Sequence, residues 1–224
     1  MNKEQRIVIS GTHATGKTTL AMALERITGI PIVRVNSMEE LASEHFSGKT
    51  LEQCSPYEYY QVCIYRLLEQ AMNEHGIEGS FIVDGSLIES YIYSLAKLNS
   101  LACKPFDIFE NKLRIIAHKS VYKNFYESLG KVLKEYCMKN YHSFIHLPVE
   151  SSIETGSSYI HSNKFRKTCD EMLITAIEEI GIQYYIITGS LEERLKKILH
   201  VYDITPIMSI EGALKDLGNI GSLL

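Results

Sequence analysis

The sequence has no apolar run near the ~18 residues a bilayer-spanning helix needs, so no membrane partner is expected. It also lacks a surplus of basic residues. Lys and Arg number 23 against 27 Asp and Glu, for a net charge of −4. That balance argues against a general nucleic-acid surface, which needs clustered positive charge. There is no C-x-x-C pair. The five cysteines, Cys54, Cys63, Cys103, Cys137 and Cys169, are odd in number and scattered. Reduced thiols and a cytoplasmic location are the expectation. No charged-then-apolar leader precedes the first strand, so no signal peptide is expected. Repeats and low-complexity tracts are absent too. What remains is an ordinary globular composition, 45% hydrophobic and 22% charged over 224 residues. This suits one α/β domain.

The most informative stretch is Gly11-Thr12-His13-Ala14-Thr15-Gly16-Lys17-Thr18-Thr19. It fits G-x-x-x-x-G-K-[ST], the Walker A pattern or P-loop. A β-branched apolar run, 6–10, precedes it, and a helix-forming run with Leu20, Ala23 and Leu24 on one face follows. Strand, glycine-rich turn and helix start form the context the motif requires. Gly11 and Gly16 free the backbone to aim successive N–H groups at phosphate oxygens. The helix start adds unpaired N–H groups and a positive dipole end. Lys17 is expected at the β- and γ-phosphates of ATP, and Thr18 at Mg²⁺.

Further along, residues 31–35 read as a second strand, making a βαβ unit and favouring a parallel sheet. Ser37 with Glu40, and Ser55 with Pro56, mark two helix starts. Residues 57–75 form a long helix with Tyr60, Ile64, Leu67, Leu68 and Ala71 at helical spacing. Gln61 and Arg66 ride on it, either as a solvated face or toward a ligand. Residues 81–84 form a strand ending in Asp84. An acid at a strand's carboxyl end, beside a P-loop, serves as a Mg²⁺-water ligand or as a general base. The competing role is a cap on the following helix, near Ser86, but the P-loop upstream in the same sheet favours the functional one. Helices are expected over 87–98 and 106–139, the second broken near Lys119 and Gly130. Arg114, His118 and Lys119 read as surface charges there. A fourth strand ends at Pro148. A Ser- and Gly-rich segment then opens onto Lys164, Arg166 and Lys167, as a mobile lid with a cationic hinge would. Helices 167–180 and 191–201 flank a fifth strand. The tail, 203–224, is expected to be a helix docked on the domain or on a partner chain, which leaves a homodimer open.

Together these features resemble the P-loop nucleoside and nucleotide kinases, nearest the branch with ribosylnicotinamide kinases and related small AAA-like ATP-binding proteins. The resemblance covers roughly residues 5–202. It rests on residues 11–20, on Tyr57-Glu58-Tyr59-Tyr60-Gln61, on Phe81-Ile82-Val83-Asp84-Gly85-Ser86 and on the 156–166 lid. It implies a three-layer P-loop NTPase fold: a five-stranded, mostly parallel sheet with helices on both faces and a lid over about 149–166. Residues 1–202 would form the kinase-like domain. The implied catalytic residues are Lys17, Asp84 and Arg166. Gln61, Arg66, Ser86 and Lys164 would face the acceptor, and Thr18 and Asp84 the metal. In these kinases an arginine follows the strand-three acid. Here Gly85 stands in its place. The lid's usual arginine position falls near Ser158, with Arg166 offset from it.

The implied reaction is Mg²⁺-ATP-dependent phosphoryl transfer to a small nucleoside- or nucleotide-like acceptor. Two other readings share the same loop: a nucleotide-sensing module with little turnover, and a simple NTPase. Gly85 and the apolar tail motivate the first of them.

Overall fold

The computed structural model describes residues 4–51, 53–101, 112–150 and 162–221. Five parallel strands form one sheet: β1 (Arg6–Gly11), β2 (Ile32–Val33), β3 (Phe81–Asp84), β4 (Ser143–Leu147) and β5 (Gln183–Ile186), in the order β2-β3-β1-β4-β5. The connecting helices are α1 (Lys17–Thr28), α2 (Met38–His45), α3 (Pro56–His75), α4 (Leu87–Leu101), α5 (Lys112–Asn140), α6 (Asn163–Ile180), α7 (Leu191–Val201) and α8 (Ile210–Gly221).

Period-two alternation in the strands builds three layers. Ile7 and Ile9 of β1, with Ile82 and Ile145, meet α1, α7 and α8 through Leu24, Ile198 and Ala213. Val8, Val83 and Phe144 turn to the opposite face, against α3–α6 through Leu67, Ile88, Leu133 and Leu173. Ile9, Phe144 and Leu173 are fully buried. Each such side chain stabilises the fold by roughly 1.5–3 kcal/mol. The tail helix α8 docks on its own chain: Leu214 and Leu217 join the α1 cluster, and Ile207 N–H donates to Ile27 O at 2.7 Å.

Helix starts follow local chemistry. Ser37 and Glu40 form a reciprocal capping box, as do Ser55 and Glu58, with Pro56 opening α3. Two expectations are corrected. α5 runs unbroken through Gly130, although glycine inside a helix costs ~1 kcal/mol. The reason is close packing: a Cβ there would lie 2.6 Å from the Tyr91 hydroxyl. α6 begins at Asn163, not at Lys167, because Ser162 accepts the Phe165 N–H and caps it. Lys164, Arg166 and Lys167 are therefore helical residues, not loop residues. Ser158 and Gly156, with all of 151–161, lie outside the described residues, as do Cys103 and the side chains of Arg114, His118 and Lys119. No described helix is long and apolar enough to cross a membrane.

A buried carboxylate ties α3, α5 and the end of β3 together. Glu74 accepts hydrogen bonds from Tyr141 (2.6 Å), Tyr136 (2.7 Å) and Gln70 Nε2 (2.8 Å). Gln70 Nε2 also reaches Gly85 O at 3.1 Å. Burial pushes the Glu74 pKa up from its ordinary 4.5, against those donors. An acid with a raised folded pKa contributes stability that is complete below the unfolded value and is lost as pH rises through the folded one. Glu74→Gln should therefore flatten the fall in melting temperature between about pH 5 and pH 8. Melting curves of both proteins across that range check this.

Candidate active site

The loop closes at the carboxyl end of β1. Gly11 (φ +149°) lies so near β4 that a Cβ would sit 2.5 Å from Leu147 O. Gly16 (φ +88°) then turns the chain into α1. Unlike α2, α3 and α7, which carry capping boxes, α1 has no side-chain cap and no acid in its first turn. Its first N–H groups are left to an external anion, and its dipole favours one. The Thr12 hydroxyl is buried with no hydrogen-bond partner. Lys17 Nζ donates to Thr12 O at 2.8 Å, and Thr15 Oγ1 donates to the same carbonyl at 3.0 Å. His13 stacks on Tyr93, ring centroids 4.7 Å apart, and the Tyr93 hydroxyl donates to Gly11 O at 3.3 Å. Ala14, Thr18 and Thr19 are exposed at the loop's rim.

β1 pairs directly with β3, with Ile9 opposite Asp84. Asp84 thus ends its strand beside the loop. A cleft of about 590 Å³ opens there, lined by Lys17, Thr18, Asp84 and Ser86, by Arg66 from α3 and by Phe165 from α6. Arg66 donates to Ser90 Oγ at 3.2 Å and to the Asn36 carbonyl, which fixes its guanidinium at the cleft wall. The Ser86 hydroxyl is buried and has no partner. Thr18 and Asp84 offer a hydroxyl and a carboxylate. Such hard oxygen donors suit Mg²⁺ together with phosphate oxygens.

Three expected site residues do not line this cleft. Gln61 is exposed. It lies about 200° around α3 from Tyr59, whose side does face the cleft. Lys164 is exposed on α6. Arg166 is 1% exposed, with Nη1 3.4 Å from Asn163 Oδ1. Once Ser162 starts the helix, the helical turn carries Arg166 into the interior and presents Phe165 to the cleft.

A family model described as an AAA domain matches residues 6–194. The chain belongs to that family. No curated protein matches it. Among solved structures, deoxyadenosine kinase from M. mycoides with bound dATP is 15% identical, with a TM-score of 0.60, over 89% of this chain and 100% of that one. The structure of deoxyadenosine kinase from M. mycoides with bound dCTP is 16% identical, with a TM-score of 0.59, over 89% of this chain and 99% of that one. At such identities the likeness is one of fold: the three-layer α/β arrangement around a P-loop.

Two residues of this AAA domain escape a sequence reading. Glu89, in the first turn of α4, is 5% exposed. Its Oε1 accepts the Gly11 N–H at 2.9 Å and its Oε2 lies 3.9 Å from Lys17 Nζ. Burial pushes its pKa up, opposed by Lys17 and the Gly11 N–H. Glu89 also explains Gly85: a Cβ at that position, φ +80°, would sit 2.8 Å from Glu89 Oε2. Carboxylate occupies the space an arginine stem would need. The second residue is Arg194 of α7. It donates to Thr15 O at 2.7 Å and pairs with Glu150 at 2.9 Å. It thereby ties α7 to the loop backbone. Glu89 carried one legible signal, an acid five positions after Asp84. Arg194 carried none, being a basic residue in an ordinary amphipathic helix.

Proposed function

We propose that this protein transfers the γ-phosphoryl group of Mg²⁺-ATP to a hydroxyl or phosphate of a small nucleoside- or nucleotide-like acceptor. The observation that carries the reading is the juxtaposition of Lys17, Thr18 and Asp84 at the mouth of one cleft, on neighbouring strand ends. The fold likeness to deoxyadenosine kinase with bound dATP supports it.

In this reading the loop N–H groups and the start of α1 hold the phosphates. Lys17 exchanges the Thr12 carbonyl for β- and γ-phosphate oxygens. Thr18 would hold Mg²⁺, which when bound offsets phosphate charge, and Asp84 would be a second oxygen donor to it when the acceptor is a phosphate and needs no base. With a hydroxyl acceptor, Asp84 takes the proton as the acceptor oxygen bonds to the γ-phosphorus. The bond from that phosphorus to the β-bridging oxygen breaks, and ADP leaves. Arg66, Ser86 and the aromatic wall of Tyr59 and Phe165 orient the acceptor. Positioning and charge stabilisation account for most of such catalysis.

The purified protein with ATP and Mg²⁺ should form ADP at least about tenfold faster with one member of a nucleoside and nucleoside-monophosphate panel than without. A panel in which none accelerates ADP formation overturns the reading. A second reading, nucleotide sensing with little turnover, is favoured by one observation. Among the described cleft-lining residues the cations are Lys17, Arg34 and Arg66, and neither Gly85 nor Arg166 adds one. Tight ATP binding without turnover on the whole panel selects it.

A further inference from the structure

We propose that Glu89 makes the phosphate site select a metal-bound nucleotide over a metal-free one. The inference rests on the reading of the P-loop as a nucleotide site. As the side chains stand, Lys17 is the one cationic side chain within the Gly11–Thr18 loop. It faces a buried carboxylate at 3.9 Å, and Asp84 lies near enough to act electrostatically on Glu89. Around Lys17 two acids outnumber the one lysine, while Arg66 is held at the cleft wall by Ser90 and Asn36 and Arg194 is engaged by Thr15 O and Glu150. Glu89 cannot swing clear, because its Oε1 is held by the Gly11 N–H. Gly85 contributes no arginine to offset it. Asp84 is half-buried and partly screened by water, whereas the field of Glu89 acts through protein.

A metal-free triphosphate entering this site brings its full negative charge against Glu89 and competes with it for Lys17. A triphosphate carrying a divalent cation brings less charge, and its cation is attracted by the same two acids. Glu89 thus acts through Lys17 and through the local field, as a positioning residue.

The test is the ratio of dissociation constants of a fluorescent ATP analogue measured in EDTA and in Mg²⁺. Measurement at about pH 8 favours the ionised carboxylates, as Lys17 and the Gly11 N–H do for Glu89 against its burial. Wild type should bind the Mg²⁺ form more tightly, and Glu89→Gln should shrink the ratio about tenfold. Glutamine retains an oxygen for the Gly11 N–H, so this variant removes charge and keeps the hydrogen bond. Glu89→Ala removes both and should shrink the ratio equally. Equal binding of the two forms by wild type overturns the proposal without any variant. So does an unchanged ratio in Glu89→Gln, or a loss of selectivity confined to Glu89→Ala, which would assign the effect to the hydrogen bond. If wild type binds neither form, the nucleotide-site reading itself is what fails.

Discussion

Restoring the kinase-type arginine with Gly85→Arg should weaken this protein, not activate it. Gly85 has φ +80°, where a residue with a Cβ is disfavoured by roughly 1–2 kcal/mol. The new Cβ would also meet Glu89 Oε2 at 2.8 Å and push the carboxylate off the Gly11 N–H. The backbone cannot relax freely, because Gly85 O is held by Gln70 and Gly85 N–H donates to Ile9 O at 3.0 Å. A combined cost of about 2 kcal/mol corresponds to a melting temperature lower by about 4–8 °C for a chain of this size. Phosphoryl transfer should fall with it, since the displaced Glu89 disturbs both Gly11 and Lys17. Gly85→Ala should show most of the stability loss, because it adds the Cβ alone. An unchanged melting temperature together with faster transfer in Gly85→Arg would show that the position is a simple catalytic deletion.

Lys17→Ala should have the larger effect on function. The variant removes the loop's own cation, and hydrogen bonds to charged groups contribute about 1.5–3 kcal/mol each. ATP affinity should drop by about 10–100-fold, and transfer by ~10³ or more, because the developing charge is greatest in the transition state. The variant also has a signature in stability. Lys17 is a cation holding down the raised pKa of Glu89. Without it, burial pushes the carboxyl higher still, and the ionised form at neutral pH becomes costlier. The sign follows from linkage: stability is retained at acid pH and lost as pH rises through the folded pKa. Lys17→Ala should therefore melt lower than wild type at neutral pH and approach it on acidification. Adding Glu89→Gln should remove that pH dependence without restoring ATP binding. Melting curves and nucleotide titration on the single and double variants separate the two roles. An ATP affinity unchanged in Lys17→Ala overturns the assignment of the loop.

The P-loop was legible because its information is local. Glycines, lysine and hydroxyl fall within eight residues, and the flanking strand and helix announce themselves by their own periodicities. The same holds for the capping boxes at Ser37 and Ser55, and for the parallel sheet implied by alternating strands and helices. Asp84 lies beside the loop because β1 pairs directly with β3, a placement that an acid ending an apolar strand lets the sequence anticipate. Where sequence reading went astray, the deciding contact was distant or angular. Gln61 differs from the cleft-facing Tyr59 only by its angle around α3. Arg166 looked like a hinge cation until Ser162 was seen to start α6 four residues before Arg166 and turn that side chain inward.

What the sequence determined by itself is the glycine-rich strand–loop–helix turn and the α/β class, since both are written in short-range patterns of backbone freedom and apolar spacing. What only the tertiary structure decided is the electrostatic setting of that loop. Glu89 reaches Gly11 across 78 positions and Arg194 reaches Thr15 across 179, and no local pattern encodes either approach. The order of strands in the sheet brings them there. A carboxylate so delivered beside Lys17 occupies the place where an arginine stem would otherwise fit.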